Sequence, residues 1–203
     1  MTLRAAGALA LLVALALTSV HAAGVSRQQA DLFERKIATI ERHGTAPANP
    51  RVPKTPRRTS VTETEINSWF AYRGTSVLPD GLTDPSLSIS GGGLVTGNAT
   101  VDLDAVARSR SSGRTFDIWN LVGGRMPVTI GGVIRTNRGR ARFELQDAAI
   151  AGVPVPRRVV QELVSYYSRT PNHPRGRRLE EEFALPAGIQ AIELSRGAAV
   201  VVQ

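Results

Sequence analysis

The sequence predicts an α+β fold in which a twisted antiparallel sheet wraps on helices. Helical spacing of apolar residues is confined to three stretches, near residues 26–42, 62–73 and 157–168. Elsewhere the period shortens to two, most cleanly over 86–103 and 126–147, with Gly-containing turns between the runs. Helix, several strands, helix, strands is the order of an antiparallel sheet with helices on one face.

The elements follow in order. Met1 to Arg4 is a short basic start, and Ala5 to Val20 is an apolar run followed by His21-Ala22. This layout predicts a secretory signal peptide over residues 1–22, cut after Ala22. The run is shorter than the ~20 apolar residues a membrane-spanning helix needs. The expected location is therefore periplasmic or secreted, and about 180 mature residues suit one domain. Residues 23–44 predict an amphipathic helix with Ala30, Phe33, Ile37 and Ile40 on one face and Gly44 as its stop. Residues 45–60 hold Pro47, Pro50, Pro53 and Pro56 among Arg51, Lys54, Arg57 and Arg58, and predict a basic linker tethering that helix.

The main domain is expected over residues 61–203. Thr62-Glu63-Thr64-Glu65 is a capping box: the Thr62 hydroxyl accepts the Glu65 amide, and the Glu65 carboxylate accepts the Thr62 amide. Ile66, Trp69 and Phe70 give the helix behind it an apolar face. Leu87 and Ile89 alternate with serines, Gly91-Gly92-Gly93 reverses the chain, and Val95, Gly97, Ala99, Val101 and Leu103 share one face of the returning strand. Asp104 is placed to cap a brief helical turn. Met126 to Thr136 predicts a strand bent or bulged at Gly131-Gly132. In the strand from Arg140 to Asp147, Ala141, Phe143 and Leu145 face inward and Arg140, Arg142, Glu144 and Gln146 outward. Ala149 to Val153 continues as strand until Pro154 and Pro156 end pairing. A helix from Arg157 to Ser168 carries Val159, Leu163 and Tyr166 or Tyr167 on its buried stripe. Ile189 to Leu194 and Ala198 to Val202 close the chain as a hairpin.

Composition excludes several chemistries. With no Cys there is neither a disulfide framework nor a thiolate metal site. His43 and His173, the only mature histidines, read as loop residues without a ligand partner at metal spacing. Gly91-Gly92-Gly93 lacks the Lys-Ser/Thr of a phosphate loop, no G-x-S-x-G occurs, and Glu180-Glu181-Glu182 reads as a solvated run offsetting Arg175, Arg177 and Arg178. No catalytic residue, metal or cofactor is therefore assigned. The net charge of +8 becomes +7 once Arg4 leaves with the signal (8 − 1). A basic protein of this kind is attracted to anionic surfaces, so peripheral contact with an anionic membrane is expected. Nucleic acid is not, because neither a recognition helix nor a stacking platform is visible.

Three stretches carry a family resemblance. Val61-Thr62-Glu63-Thr64-Glu65-Ile66-Asn67 resembles the opening helix of tubular lipid-binding (TULIP-like) domains of the bacterial cell envelope. Phe143-Glu144-Leu145 through Gly152-Val153-Pro154-Val155-Pro156 resembles their late strand, and Leu185-Pro186-Ala187-Gly188-Ile189 their closing segment. The central segment Arg108 to Gly124 does not match. The resemblance implies a TULIP-like half-domain whose curved sheet leaves an apolar groove for a phospholipid-like or other amphiphilic ligand, with no covalent chemistry. On that reading Trp69, Phe70, Trp119, Phe143, Leu163, Tyr166 and Tyr167 line the ligand site, and Arg114 and Arg125 meet its head group. The alternative function is a structural or assembly component of the envelope acting through protein–protein contacts.

Overall fold

A computed structural model of the chain describes residues 24–45, 55–74, 78–108 and 123–203. The expected signal peptide, most of the expected linker, Arg114 and Trp119 lie outside the described residues.

The protein is α+β. In chain order its elements are α1 (Arg27–Thr45), β1 (Arg58–Thr62), α2 (Glu63–Tyr72), β2 (Leu82–Gly91), β3 (Leu94–Asp102) and α3 (Leu103–Arg108). They continue with β4 (Arg125–Asn137), β5 (Arg140–Ile150), β6 (Val153–Pro154), α4 (Arg157–Tyr167), β7 (Phe183–Ala184), β8 (Ala191–Ser195) and β9 (Ala198–Val202). The strands divide into two antiparallel sheets rather than one. Strands β2-β3-β4-β5-β6, with β7 also paired to β5, form an open six-stranded sheet, and β1-β9-β8 form a three-stranded one. The closing hairpin pairs with β1, which begins at Arg58, so the last residues of the expected linker are strand.

Gly92 and Gly93, both at positive φ, make the two-residue turn joining β2 to β3. This backbone twist matches that of the flanking strands and suits residues without a Cβ. At the expected bulge, Gly131 opposes Asp147 and Gly132 opposes Leu145, so Gln146 is the extra residue. That insertion switches parity along β5: Ala141 is buried before it, Ala148 and Ile150 after it, all on one face. On β2, Pro85 sits in a second irregularity beside Asp84 at φ 51°. An edge strand tolerates a missing donor there.

The capping box of α2 is present in full: the Thr62 amide donates to the Glu65 carboxylate at 2.8 Å and the Glu65 amide to the Thr62 hydroxyl at 3.2 Å. The same helix blocks the edge of β2. Asn67 exchanges two hydrogen bonds with the Leu87 backbone, at 2.7 and 2.8 Å, and Glu63 accepts the Ile89 amide at 2.7 Å. Edge amides satisfied by side chains are closed to a foreign strand. The cap of α3 is Asp102, which accepts the Ala105 amide at 2.9 Å; Asp104 lies in the first turn instead.

Helix α1, expected at the end of a tether, is packed against the rest of the fold. Ile40 is buried with Ile189 and Val201. Lys36 meets the buried Glu65 carboxylate at 2.6 and 2.8 Å, and the Ser26 amide donates to the Ser68 hydroxyl at 3.1 Å. Gly44 is not the stop but part of the last turn, where it lies against the backbone of Ala187. His43 is likewise helical rather than a loop residue.

A candidate binding face on the six-stranded sheet

The register assigns every strand's inward residues to one face. Ile89, Val95, Gly132 and Leu145 lie in one row across the strands, and Leu87, Gly97, Ile130 and Ala148 in the next. Ala99, Val128 and Ile150 follow, then Leu82, Val101 and Met126. The opposite face carries Ser86, Ser88, Thr96, Asn98, Thr129 and Asp147, with Thr129 donating to Asn98 at 2.8 Å. Alternation thus yields one dry and one wet face.

Two clusters cover the dry face from its ends. At one end α4 lays Val159 and Leu163 on Val101, Leu103, Val128 and Ile150, with Ile130, Tyr166 and Tyr167 at the margin. At the other, Ala199 of the three-stranded sheet meets Ile89 and Val95, with Ile66, Phe143 and Leu194 packed around them. Gly97 lies in the row between the clusters, Ala99 in the row of Val128 and Ile150, and Leu145 in that of Ile89 and Val95; all three are half-buried. Among the described residues, a Cβ built on Gly97 would meet only the Ser86 carbonyl, at 4.0 Å. The floor of this strip is low because Gly97 and Ala99 carry almost no side chain. One wall is the Phe143 ring, which lies over Gly132 closely enough that a Cβ there would come within 2.5 Å of it.

The residues singled out from sequence do not form one site. Phe143, Leu163, Tyr166 and Tyr167 border the strip through the two clusters. The Tyr166 and Tyr167 rings meet edge-on at 4.9 Å, and the Tyr167 hydroxyl accepts the Asp102 amide at 3.2 Å and reaches the Gly81 and Asp102 carbonyls at 3.3 Å. Burial pushes that phenol up from its ordinary pKa. Trp69 and Phe70 belong elsewhere: Trp69 packs between Phe33 of α1 and Phe70, each pair of ring centroids 5.7 Å apart. Arg125 donates to Thr83 at 2.6 Å and follows the wet face.

No family model matches the chain, no curated protein matches it, and no solved structure matches it.

A charged cluster lies beside β5 and α4. A cavity of about 410 Å³ is lined by Arg157, Arg158 and Gln161 of α4 and by residues 178–181. Gln161 builds its wall, accepting the Leu179 amide at 2.8 Å and donating to the Arg177 carbonyl at 3.2 Å. Glu180 also borders a second cavity, about 360 Å³, with Arg142 and Glu144. The glutamates of the 180–182 run answer several arginines: Arg157–Glu180 at 2.5 Å, Arg140–Glu182 at 2.7 Å and Arg177–Glu181 at 3.9 Å. Glu144 is gripped by Arg135 at 3.2 Å and Arg142 at 2.5 Å, and the Arg135 hydrogen bond above all holds its carboxyl below the usual range. Arg158 and Arg178, both exposed, keep guanidinium groups without an ion-pair partner among the described residues.

Sequence reasoning did not single out Gly97, Ala99 and Leu145 as a site, although their shared face was legible in the alternation. It also did not find Arg158 and Arg178, because nothing in spacing brings α4 beside residues 178–181. No group of three or more His, Asp or Glu residues able to hold a metal occurs among the described residues.

Proposed function

We propose that this chain is an exported, non-enzymatic binding protein for a phospholipid-like or other amphiphilic molecule of the cell envelope. The hydrocarbon lies in the strip between α4 and the three-stranded sheet, over Gly97 and Ala99 and against Leu145 and Phe143. The anionic head is drawn by Arg158 and Arg178 of the charged cluster beside α4. The observation that carries the reading is that, among the described residues, a Cβ on Gly97 would meet only the Ser86 carbonyl, at 4.0 Å. Desolvating an acyl chain there contributes about 0.8 kcal/mol per CH₂, and a guanidinium with no carboxylate partner is free to bond phosphate or carboxylate oxygens. The TULIP-like resemblance of the opening helix, late strand and closing segment points the same way.

The test is lipid analysis of the purified protein by mass spectrometry, followed by displacement of a fluorescent fatty acid. Gly97→Leu, whose Cβ would meet only the Ser86 carbonyl at 4.0 Å among the described residues, should weaken acyl binding at least about tenfold while leaving the circular dichroism spectrum unchanged. Arg158→Glu should weaken an anionic ligand but not its neutral analogue. Unaltered binding in Gly97→Leu, or no lipid recovered and no probe bound by the wild type, overturns the proposal.

A further inference from the structure

The two edges of the six-stranded sheet are finished differently. At β2 the side chains of Asn67 and Glu63 occupy the edge backbone. At β5, β7 pairs only with Arg140 and Ala141, and β6 only with Ala149 and Ile150. The Val155 amide takes the Ala148 carbonyl at 3.0 Å. The stretch from Arg142 to Asp147 therefore has no strand outside it among the described residues. At about 3.3 Å per residue, that gap is about 20 Å long. Backbone groups alternate in direction along a strand. The Gly139 carbonyl faces outward, to the Leu185 amide at 2.7 Å. Counting on by twos turns the backbone of Phe143 and the amide of Leu145 into the gap, just before the bulge at Gln146.

We infer that the gap accepts an extended segment of another polypeptide as an added strand. Strand backbone that neither a strand nor a side chain caps is a template for a further extended chain. Strands β6 and β7 stand one strand spacing, about 4.8 Å, out from β5 at either end of the gap. A second copy carries the same two shoulders, which hold two β5 edges apart, whereas a single narrow segment enters between them. Register then fixes the chemistry of that segment. Phe183 pairs with Ala141 and Val153 with Ile150, so both shoulders present their side chains on the dry face. They are 40% and 64% exposed, two of the few large apolar side chains so placed among the described residues. An added strand sets every second residue between these two, beside Phe143 and Leu145, and those residues are apolar. The others lie beside Arg142 and Glu144, which pair at 2.5 Å. Across a cavity of about 360 Å³ from them is Glu180, itself held by Arg157 at 2.5 Å. These charges answer one another, so this side takes uncharged polar residues. The strand addition does not rest on a ligand in the strip.

The probe is a fluorescein-labelled, end-blocked hexapeptide of alternating Val and Thr. Its fluorescence anisotropy should rise saturably with the purified protein, and N-methylation of every peptide amide should weaken binding at least about tenfold. In hydrogen exchange followed by nuclear magnetic resonance, the Phe143 and Leu145 amides should slow at least about tenfold when the peptide is present. The Leu87 and Ile89 amides, already held by side chains at the other edge, should not change. Val153→Ser with Phe183→Ser removes the apolar shoulders without touching the backbone ladder, and should weaken binding about tenfold. Tyr72→Ser, exposed on α2, should bind like the wild type. Absence of saturable binding, equal binding of the N-methylated peptide, protection confined to other amides, or full binding by the shoulder variant overturns the inference.

Discussion

Replacing Lys36 by Met tests whether α1 is an integral part of the fold. The substitution keeps the aliphatic stem and removes the ammonium that meets the Glu65 carboxylate at 2.6 and 2.8 Å. The Glu65 side chain is 6% exposed, and it would retain only the Thr62 amide. Leaving one member of a buried pair uncompensated costs about 3–5 kcal/mol. The Lys36 side chain is 30% exposed, however, so water reaches the opened side of the carboxylate. The expected loss is therefore about 2–3 kcal/mol. Glu65→Gln keeps an acceptor for the Thr62 amide and frees Lys36 to turn into solvent, and should cost only about 1–2 kcal/mol. The double variant Lys36→Met/Glu65→Gln should fall short of the sum by about 1 kcal/mol or more, since contacting residues do not act independently. Urea titration followed by circular dichroism reads these differences. With a slope of about 2 kcal/mol per molar, Lys36→Met lowers the midpoint by roughly 1 M. A midpoint within about 0.2 M of wild type, or strict additivity in the double variant, would show that the helix is not seated on a buried carboxylate.

Two further outcomes follow from packing and titration. Gly132→Ala puts a Cβ into the Phe143 ring and the Glu144 carbonyl, and should cost about 1–3 kcal/mol by overpacking in the same urea assay; an unchanged midpoint would remove Phe143 from its place over the strip. For Tyr167, burial raises the folded-state pKa, so as pH climbs past the ordinary phenol value of about 10 the unfolded chain loses its proton first. Stability from this group is thus intact below that pH and lost above it. Melting temperatures should fall more steeply between pH 9 and 11 (about the ordinary phenol range) in wild type than in Tyr167→Phe, and parallel curves would contradict the buried, hydrogen-bonded hydroxyl.

Local rules made much of this protein readable in advance. The capping box at Thr62, the reversal at Gly92-Gly93, the bulge at Gly131-Gly132 and the wet and dry faces of β3 and β5 all depend on residues within a few positions of one another. The α+β class follows from the same short-range periods. Long-range choices left no such trace. The closing hairpin pairs with β1, more than 130 residues earlier, which puts the all-apolar β9 at the centre of its sheet. The docking of α1 includes a lysine meeting a carboxylate 29 residues away and Ile40 packing on Ile189 and Val201, and no periodicity encodes those meetings.

The candidate site divides along the same line. Alternation alone put Val95, Gly97, Ala99 and Val101 on a common face and made that face apolar. Which part of it the described residues cover depends on how far α4 and the three-stranded sheet reach across it, a balance of packing contacts among distant segments. The aromatic rings assigned through the resemblance therefore fall in separate clusters, whereas the low floor comes from the small side chains of Gly97 and Ala99.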